Sequence, residues 1–192
     1  MKHLKSTNKK KIHVCFDLDG VLIGKPAFLP KKVIELVVRG KNSNPTKLHF
    51  RYPTSKIEEY IRWLSQHPYL RRPLTENIKI VRELSANPSY KLSVVSGRYQ
   101  FLEKRTYEWL QANNLDMCFS NIFLNTKNVQ PHLFKERVLK QIKADIFFED
   151  DEMIIRYLKK RVPLSIVHVT DSIKFPSTLS TNTIAPEISL LS

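Results

Sequence analysis

The chain has 192 residues, 42% of them hydrophobic, with 32 Lys plus Arg against 18 Asp plus Glu and a formal charge of +14. That apolar content supports a packed core and excludes global disorder, and the length fits one domain with a modest insertion. The basic surplus favours polyanionic partners such as nucleic acid, acidic membrane or phosphorylated metabolites.

Residues 1–11 form a basic tail without the apolar stretch that a secretory signal needs. The first strand is expected over Ile12–Asp17, after which residues 24–69 break the rhythm. Within them, residues 29–38 have a helical pattern and residues 45–53 read as a short strand or loop. Ser55–Gln66 reads as an amphipathic helix with Ile57, Tyr60, Ile61 and Leu64 on one face. This stretch is an insertion, too small to be an independent domain. Next come a helix from a Thr75 cap to Leu84, stopped before Pro88, and a strand over Lys91–Ser96. A helix over Phe101–Asn114 leads to a strand at Asn121–Asn125. A helix over His132–Ile142, with Leu133, Phe134, Val138, Leu139 and Ile142 on one stripe, precedes a strand at Asp145–Asp150. The last pair is a helix over Glu152–Lys160 and a strand over Leu164–Val169.

These strands are continuous apolar runs, as expected where both faces are covered. Their alternation with helices indicates an α/β protein: three layers, Rossmann-like, with a mainly parallel central sheet, helices on both faces and a small cap insertion after the first strand. Residues 12–23 and 70–170 then make the core and residues 24–69 a cap or flap. Residues 171–192, rich in Ser, Thr and Pro, are expected to be a draped or disordered tail. Two cysteines, Cys15 and Cys118, each sit in an apolar run. They read as small core residues of a cytoplasmic, reducing environment rather than a disulfide framework. No apolar run reaches the roughly 18 residues of a membrane span.

Polar residues collect at the carboxyl ends of the expected strands, where open α/β sheets bind ligands. The first strand ends in Asp17-Leu18-Asp19-Gly20 and the second in Ser96-Gly97-Arg98. Lys135 lies in the helix after the third, and the fourth ends in Glu149-Asp150-Asp151-Glu152. Singly, each has a plainer explanation: Asp151 can cap the next helix, Asp19-Gly20 and Ser96-Gly97 can be turns, and Lys135 can be solvated. Together they suit one ligand. Clustered carboxylates call for a hard divalent cation, and Mg²⁺ is held by one or two carboxylates plus a phosphate oxygen. Ser96, backbone N–H groups and Lys135 would take the remaining phosphate oxygens.

"CFDLDGVL", "LSVVSGR", Lys135 and "IFFEDD" resemble, in order, the four motifs of the haloacid dehalogenase superfamily of aspartate-nucleophile phosphotransferases. The resemblance implies that Asp17 attacks phosphorus and forms an aspartyl-phosphate, while Asp19 serves as general acid and base. It implies that Mg²⁺ meets the Asp17 side chain, the Asp19 backbone carbonyl and a fourth-motif carboxylate, Asp150 with Asp151 as the alternative, while Glu149 is a supporting or solvated group. Ser96, Gly97 and Arg98 would face the phosphoryl group. Lys135 would offset its charge, with Lys127 as the competing lysine. An acid at position 19 goes, in this family, with phosphoester hydrolysis rather than ion pumping or dehalogenation.

Two features lean towards a nucleotide or a nucleic acid end as substrate. The insertion is basic (Lys31, Lys32, Arg39, Lys41, Lys47, Arg51, Lys56 and Arg62) and carries Phe50, Tyr52, Tyr60 and Trp63, which could stack on bases; the plainer reading is that Tyr60 and Trp63 pack the cap onto the core and the lysines are solvated. "SGRYQFLEKRTYEWLQANNL" also resembles the corresponding stretch of polynucleotide kinase phosphatase domains. Arg71 and Arg72 stand just before the core helix, where they could face the cleft. The alternatives are a phosphatase of a small metabolite or phosphoprotein, and a catalytically silent basic module binding RNA or anionic lipid.

Overall fold

Five short apolar runs pair into one all-parallel sheet in the order β3-β2-β1-β4-β5. The strands are β1 (Ile12–Phe16), β2 (Tyr90–Tyr99), β3 (Asn121–Asn125), β4 (Ile146–Glu149) and β5 (Ser165–His168). The computed structural model describes residues 10–24, 48–170 and 172–174. The helix expected at 29–38, residues 45–47 and most of both expected tails lie outside these residues. The described residues hold five α-helices: α1 (Lys56–Ser65), α2 (Thr75–Ala86), α3 (Glu103–Ala112), α4 (Pro131–Ile142) and α5 (Glu152–Lys159). Among the described residues no helix is long and apolar enough to cross a membrane.

Strand alternation divides the core in two, because successive side chains leave a strand on opposite faces. Val14 and Phe16 of β1 join Ile78, Val81, Trp109 and Leu110 of α2 and α3 on one face. Cys15 joins Val95, Phe147, Phe134, Leu139 and Leu158 against α4 and α5 on the other. Burial on both sides explains why β1 reads as a continuous apolar run. Burial also pushes the Cys15 thiol up to about 12, which leaves it inert at neutral pH. Ile173, inside the stretch expected to drape loosely, is buried and donates its backbone N–H to Asn77 Oδ1 at 2.8 Å.

Several element ends differ from expectation for local reasons. Leu74, not Thr75, precedes the first turn of α2, and it makes no side-chain cap bond. The helix α4 begins at Pro131, whose fixed φ and missing N–H suit the first helical position. A 3₁₀ turn at Gln100–Leu102 delays α3. Residues 48–53 settle as irregular chain, pinned by Phe50, whose N–H donates to Gln130 Oε1 at 2.8 Å. The Ser55 hydroxyl caps α1 by accepting from Glu58 N–H at 3.2 Å. Its apolar stripe, Ile57, Tyr60, Ile61 and Leu64, is exposed rather than packed.

His13 supplies a pH test of this packing. Its Nε2 lies 2.8 Å from Ser93 Oγ and its Nδ1 3.3 Å from the Ile142 carbonyl oxygen. Burial lowers its pKa from the ordinary value, so the neutral ring is the native form. As pH falls the unfolded chain takes the proton first. The stability that neutral His13 contributes is therefore full above about pH 6.5 and is lost below it. In thermal unfolding, the Tm gap between wild type and His13→Gln should narrow as pH drops from about 7.5 to about 5.5. A gap constant across that interval would contradict the assignment.

Candidate active site

The strand order reverses at β1: the chain moves outward through β2 and β3, then returns to place β4 on the other side. Such a reversal opens a crevice beyond the carboxyl ends of the strands, here β1 and β4. The loop after β1 wraps tightly, with the Leu18 carbonyl accepting from the N–H groups of Val21, Leu22 and Ile23. Asp17 continues the β1–β4 pairing by donating its N–H to the Phe148 carbonyl at 2.9 Å. Gly20 follows with φ +78°, a left-handed conformation that favours glycine, and an added Cβ would fall 2.0 Å from Asp150 Oδ2. Glycine is thus what lets the β1 and β4 loops meet.

Lys135 lies at the bottom of the crevice. Its Nζ donates to Glu149 Oε2 at 2.6 Å and lies 3.0 Å from Asp17 Oδ2, with all three side chains buried. Two features of the fold bring it there. Gly97 lets Pro131 approach, since a Cβ at residue 97 would sit 2.6 Å from the Pro131 ring, and Lys135 is about one turn further along α4. Burial alone would lower the Lys135 pKa, but Asp17 and Glu149 outweigh it and hold the ammonium above the ordinary value. Burial raises Asp17 and Glu149 against the pull of Lys135. Lys127 is exposed and does not enter the crevice.

A second cluster surrounds Asp19. Arg98 grips its carboxylate with two bonds, Nε to Oδ2 at 2.7 Å and Nη2 to Oδ1 at 2.8 Å, and Arg71 Nη2 adds a third to Oδ1 at 2.6 Å. Both guanidiniums are buried, and Asp19 is 42% exposed. Burial by itself would raise the Asp19 pKa, yet Arg98 and Arg71 hold it well below the usual carboxylate range. Arg98 also donates to Gln66 Oε1 at 2.9 Å, which fastens the end of α1 over the crevice. Ser96 is buried at the last regular pair of β2 with β3, and its hydroxyl accepts from Arg98 N–H at 3.4 Å. A register shift between Ser96 and Tyr99 turns Gly97 and Arg98 out of the ladder.

One oxygen each from Asp17, Glu149 and Asp150 fits within 4.8 Å of the others, an all-oxygen donor set suited to Mg²⁺. Both Glu149 oxygens already accept, from Lys135 and from Asp151 N–H, so Asp17 and Asp150 are the better-placed ligands. The Asp151 side chain instead caps α5, accepting from Met153 N–H at 2.8 Å and Ile154 N–H at 3.3 Å. The structure therefore gathers Asp17, Lys135, Glu149 and Asp150 in one cluster and Asp19, Arg98 and Arg71 in another. Ser96 is buried two residues before Arg98, with its hydroxyl accepting from the Arg98 N–H, and the Asp151 carboxylate is occupied at its helix. Arg71 carries no sequence signal beyond its basic neighbour. What places it is the buried Trp109, whose Nε1 donates to the Arg71 carbonyl at 2.8 Å.

No protein-family model and no curated protein matches the sequence. Solved structures do match. The L-2-haloacid dehalogenase of Xanthobacter autotrophicus aligns over 93% of this chain and 86% of its own, with a TM-score of 0.55 and 13% identity. The chain has the haloacid dehalogenase fold. A haloacid dehalogenase family enzyme of Bacteroides thetaiotaomicron, solved with magnesium and inorganic phosphate, aligns over 88% of this chain and 98% of its own, at a TM-score of 0.51 and 13% identity. A chain of the Pnkp1/Rnl/Hen1 RNA repair complex aligns over 88% of this chain at a TM-score of 0.55 and 13% identity, and only 45% of that longer chain is covered. At such identities the likeness shows the fold alone.

Proposed function

We propose that this chain is a Mg²⁺-dependent phosphomonoesterase that works through an aspartyl-phosphate on Asp17, with a nucleotide or nucleic acid terminal phosphate as substrate. The observation that carries the reading is Lys135, a buried ammonium set between Asp17 and Glu149 beside Asp150. Four buried or half-buried charges at a crevice are costly to desolvate and serve little purpose in a structural core. The same arrangement suits a dianionic phosphoryl group facing a carboxylate nucleophile. The binding of Mg²⁺ and phosphate by the Bacteroides relative is consistent with it.

In this scheme an Asp17 carboxylate oxygen attacks phosphorus. The bond from phosphorus to the ester oxygen breaks, and the departing oxygen takes a proton from Asp19. Water then attacks phosphorus and the Asp17–phosphorus bond breaks. Asp19 receives the water's proton and inorganic phosphate leaves. Arg98 bonds both Asp19 oxygens and, with Arg71, holds Asp19 ionised, so Asp19 takes up a proton from solvent as Arg98 turns to the incoming phosphoryl oxygens, and that proton is the one it gives to the departing oxygen. Lys135 offsets charge on the nucleophile and phosphate, Ser96 and the Gly97 backbone face the phosphoryl group, and Glu149 holds Lys135. Mg²⁺, held by Asp17, Asp150 and the Asp19 carbonyl, would neutralise phosphate charge. The small cap expected over residues 24–69 would, in this scheme, admit bulky substrates.

Hydrolysis of p-nitrophenyl phosphate with Mg²⁺ and with excess EDTA tests this reading. Activity with Mg²⁺ that falls to background in EDTA and returns with added Mg²⁺ is expected. Full activity in EDTA, or no activity with any divalent cation, would contradict it. Turnover of sugar phosphates but not nucleotides or phosphorylated oligonucleotides would overturn the substrate assignment alone.

A further inference from the structure

On the phosphatase reading above, we infer that α1 presents a base-stacking subsite for a single-stranded nucleic acid whose terminal phosphate occupies the crevice. Lys56, Glu59, Tyr60 and Trp63 lie at helical spacing on one face of α1 and, with Phe101, line an open cavity of about 180 Å³. Gln66 extends the same stripe by one turn towards the crevice. There its side chain accepts from Arg98, the residue that grips Asp19. One continuous face therefore joins the cavity to the reacting groups.

The rings form a stack with one open end. The Arg105 guanidinium lies 3.4 Å from the Trp63 ring centroid. The Tyr60 ring is stacked on Trp63, with centroids 5.9 Å apart and planes 21° apart. Trp63 is thus occupied, and Tyr60, 60% exposed, ends the ladder facing solvent. A cation, an indole and a phenol in series present a π-face at the open end, and a nucleobase would extend the series in a sequence-tolerant way. The Lys56 ammonium at the rim donates to Glu59 Oε2 at 3.1 Å and, with three N–H donors, can also meet a backbone phosphate. Two other described aromatics of the insertion are engaged elsewhere: Tyr52 packs edge-on against Tyr99 and Phe101, and Phe50 packs against the core.

The spacing selects a polynucleotide over a mononucleotide. Tyr60 lies six residues, about 9 Å along the helix axis, beyond Gln66, and Gln66 touches Arg98 rather than Asp19. The base at Tyr60 is therefore that of a nucleotide next to the terminal one. The exposed aliphatic residues Ile57, Ile61 and Leu64, which share the apolar stripe of α1 with Tyr60, do not line the cavity.

Two measurements on wild type and Tyr60→Ala test the subsite. The first is tryptophan fluorescence titration with a short unphosphorylated single-stranded oligonucleotide, which needs no catalysis. The second is kcat/KM for the same oligonucleotide carrying a terminal phosphate, beside p-nitrophenyl phosphate. Tyr60→Ala should raise Kd and KM for the oligonucleotides by about tenfold or more and leave p-nitrophenyl phosphate hydrolysis unchanged, and Tyr60→Phe should restore binding. Oligonucleotide affinity equal in wild type and Tyr60→Ala would overturn the subsite while leaving the phosphatase reading intact. Tyr60-dependent binding without phosphate release would overturn the phosphatase reading and keep the subsite.

Discussion

Asp17→Asn should abolish phosphatase activity, with p-nitrophenyl phosphate turnover falling by about 10³-fold or more, as when a covalent nucleophile is removed. The fold should survive. Asp17 is a buried carboxyl whose pKa is raised first by burial, against the pull of Lys135, so its charge is costly in the native state. Asparagine keeps its shape without that charge, and Lys135 keeps Glu149 as partner at 2.6 Å. Its Tm at neutral pH should therefore equal or exceed that of wild type. The two readouts separate the roles: an inactive variant with unchanged or higher Tm places Asp17 in the chemistry. Retained activity would remove it as nucleophile, and equal loss of activity and stability would make it a structural residue.

Lys135→Met should do the opposite to stability and the same to activity. Methionine roughly preserves length, but Asp17 and Glu149 then face each other in a buried site without a cation. Breaking a buried pair from one side costs about 3–5 kcal/mol, equivalent to roughly 10 °C in Tm for a chain of this size. The sign of the pH dependence follows from the two carboxyls. Both have pKa values raised above their unfolded values, so the native state binds protons that the unfolded state has released. Stability from those protons is full below the unfolded carboxyl range, near pH 4, and is lost as pH rises. The Tm deficit of Lys135→Met should therefore shrink at about pH 5 and grow at about pH 8. A deficit independent of pH would show that Lys135 acts by packing alone.

Much of this site was legible in the sequence because strand ends are written in local chemistry. Asp17, Asp19, Ser96, Lys135 and Asp150 each follow an apolar run or sit on a periodic helix. The fold then gathers their loops at the point where the strand order reverses. Asp151 could not be divided between cap and ligand until the direction of its carboxylate towards Met153 N–H was known. Glu149 reads as one acid in a run of four, and only complete burial against Lys135 separates it from its neighbours. Arg71 was legible only as one of two arginines before the core helix that could face the cleft, and its grip on Asp19 was not. It stands 52 residues from Asp19 in sequence, in a loop with no periodicity, and its place is fixed by a tertiary contact with Trp109. The apolar stripe of α1 is the converse case: the helix forms as its pattern indicates, yet the stripe stays exposed, since periodicity reports an amphipathic face and not what covers it.

The central claim is that an Asp17 oxygen bonds to phosphorus during turnover. A crystal structure of the protein grown with Mg²⁺ and trifluoroberyllate tests it most directly. The expected result is beryllium bonded to an Asp17 carboxylate oxygen, its fluorines facing Lys135 and Ser96, and the metal shared by Asp17 and Asp150. Trifluoroberyllate bound away from Asp17, or joined to a different side chain, would contradict it.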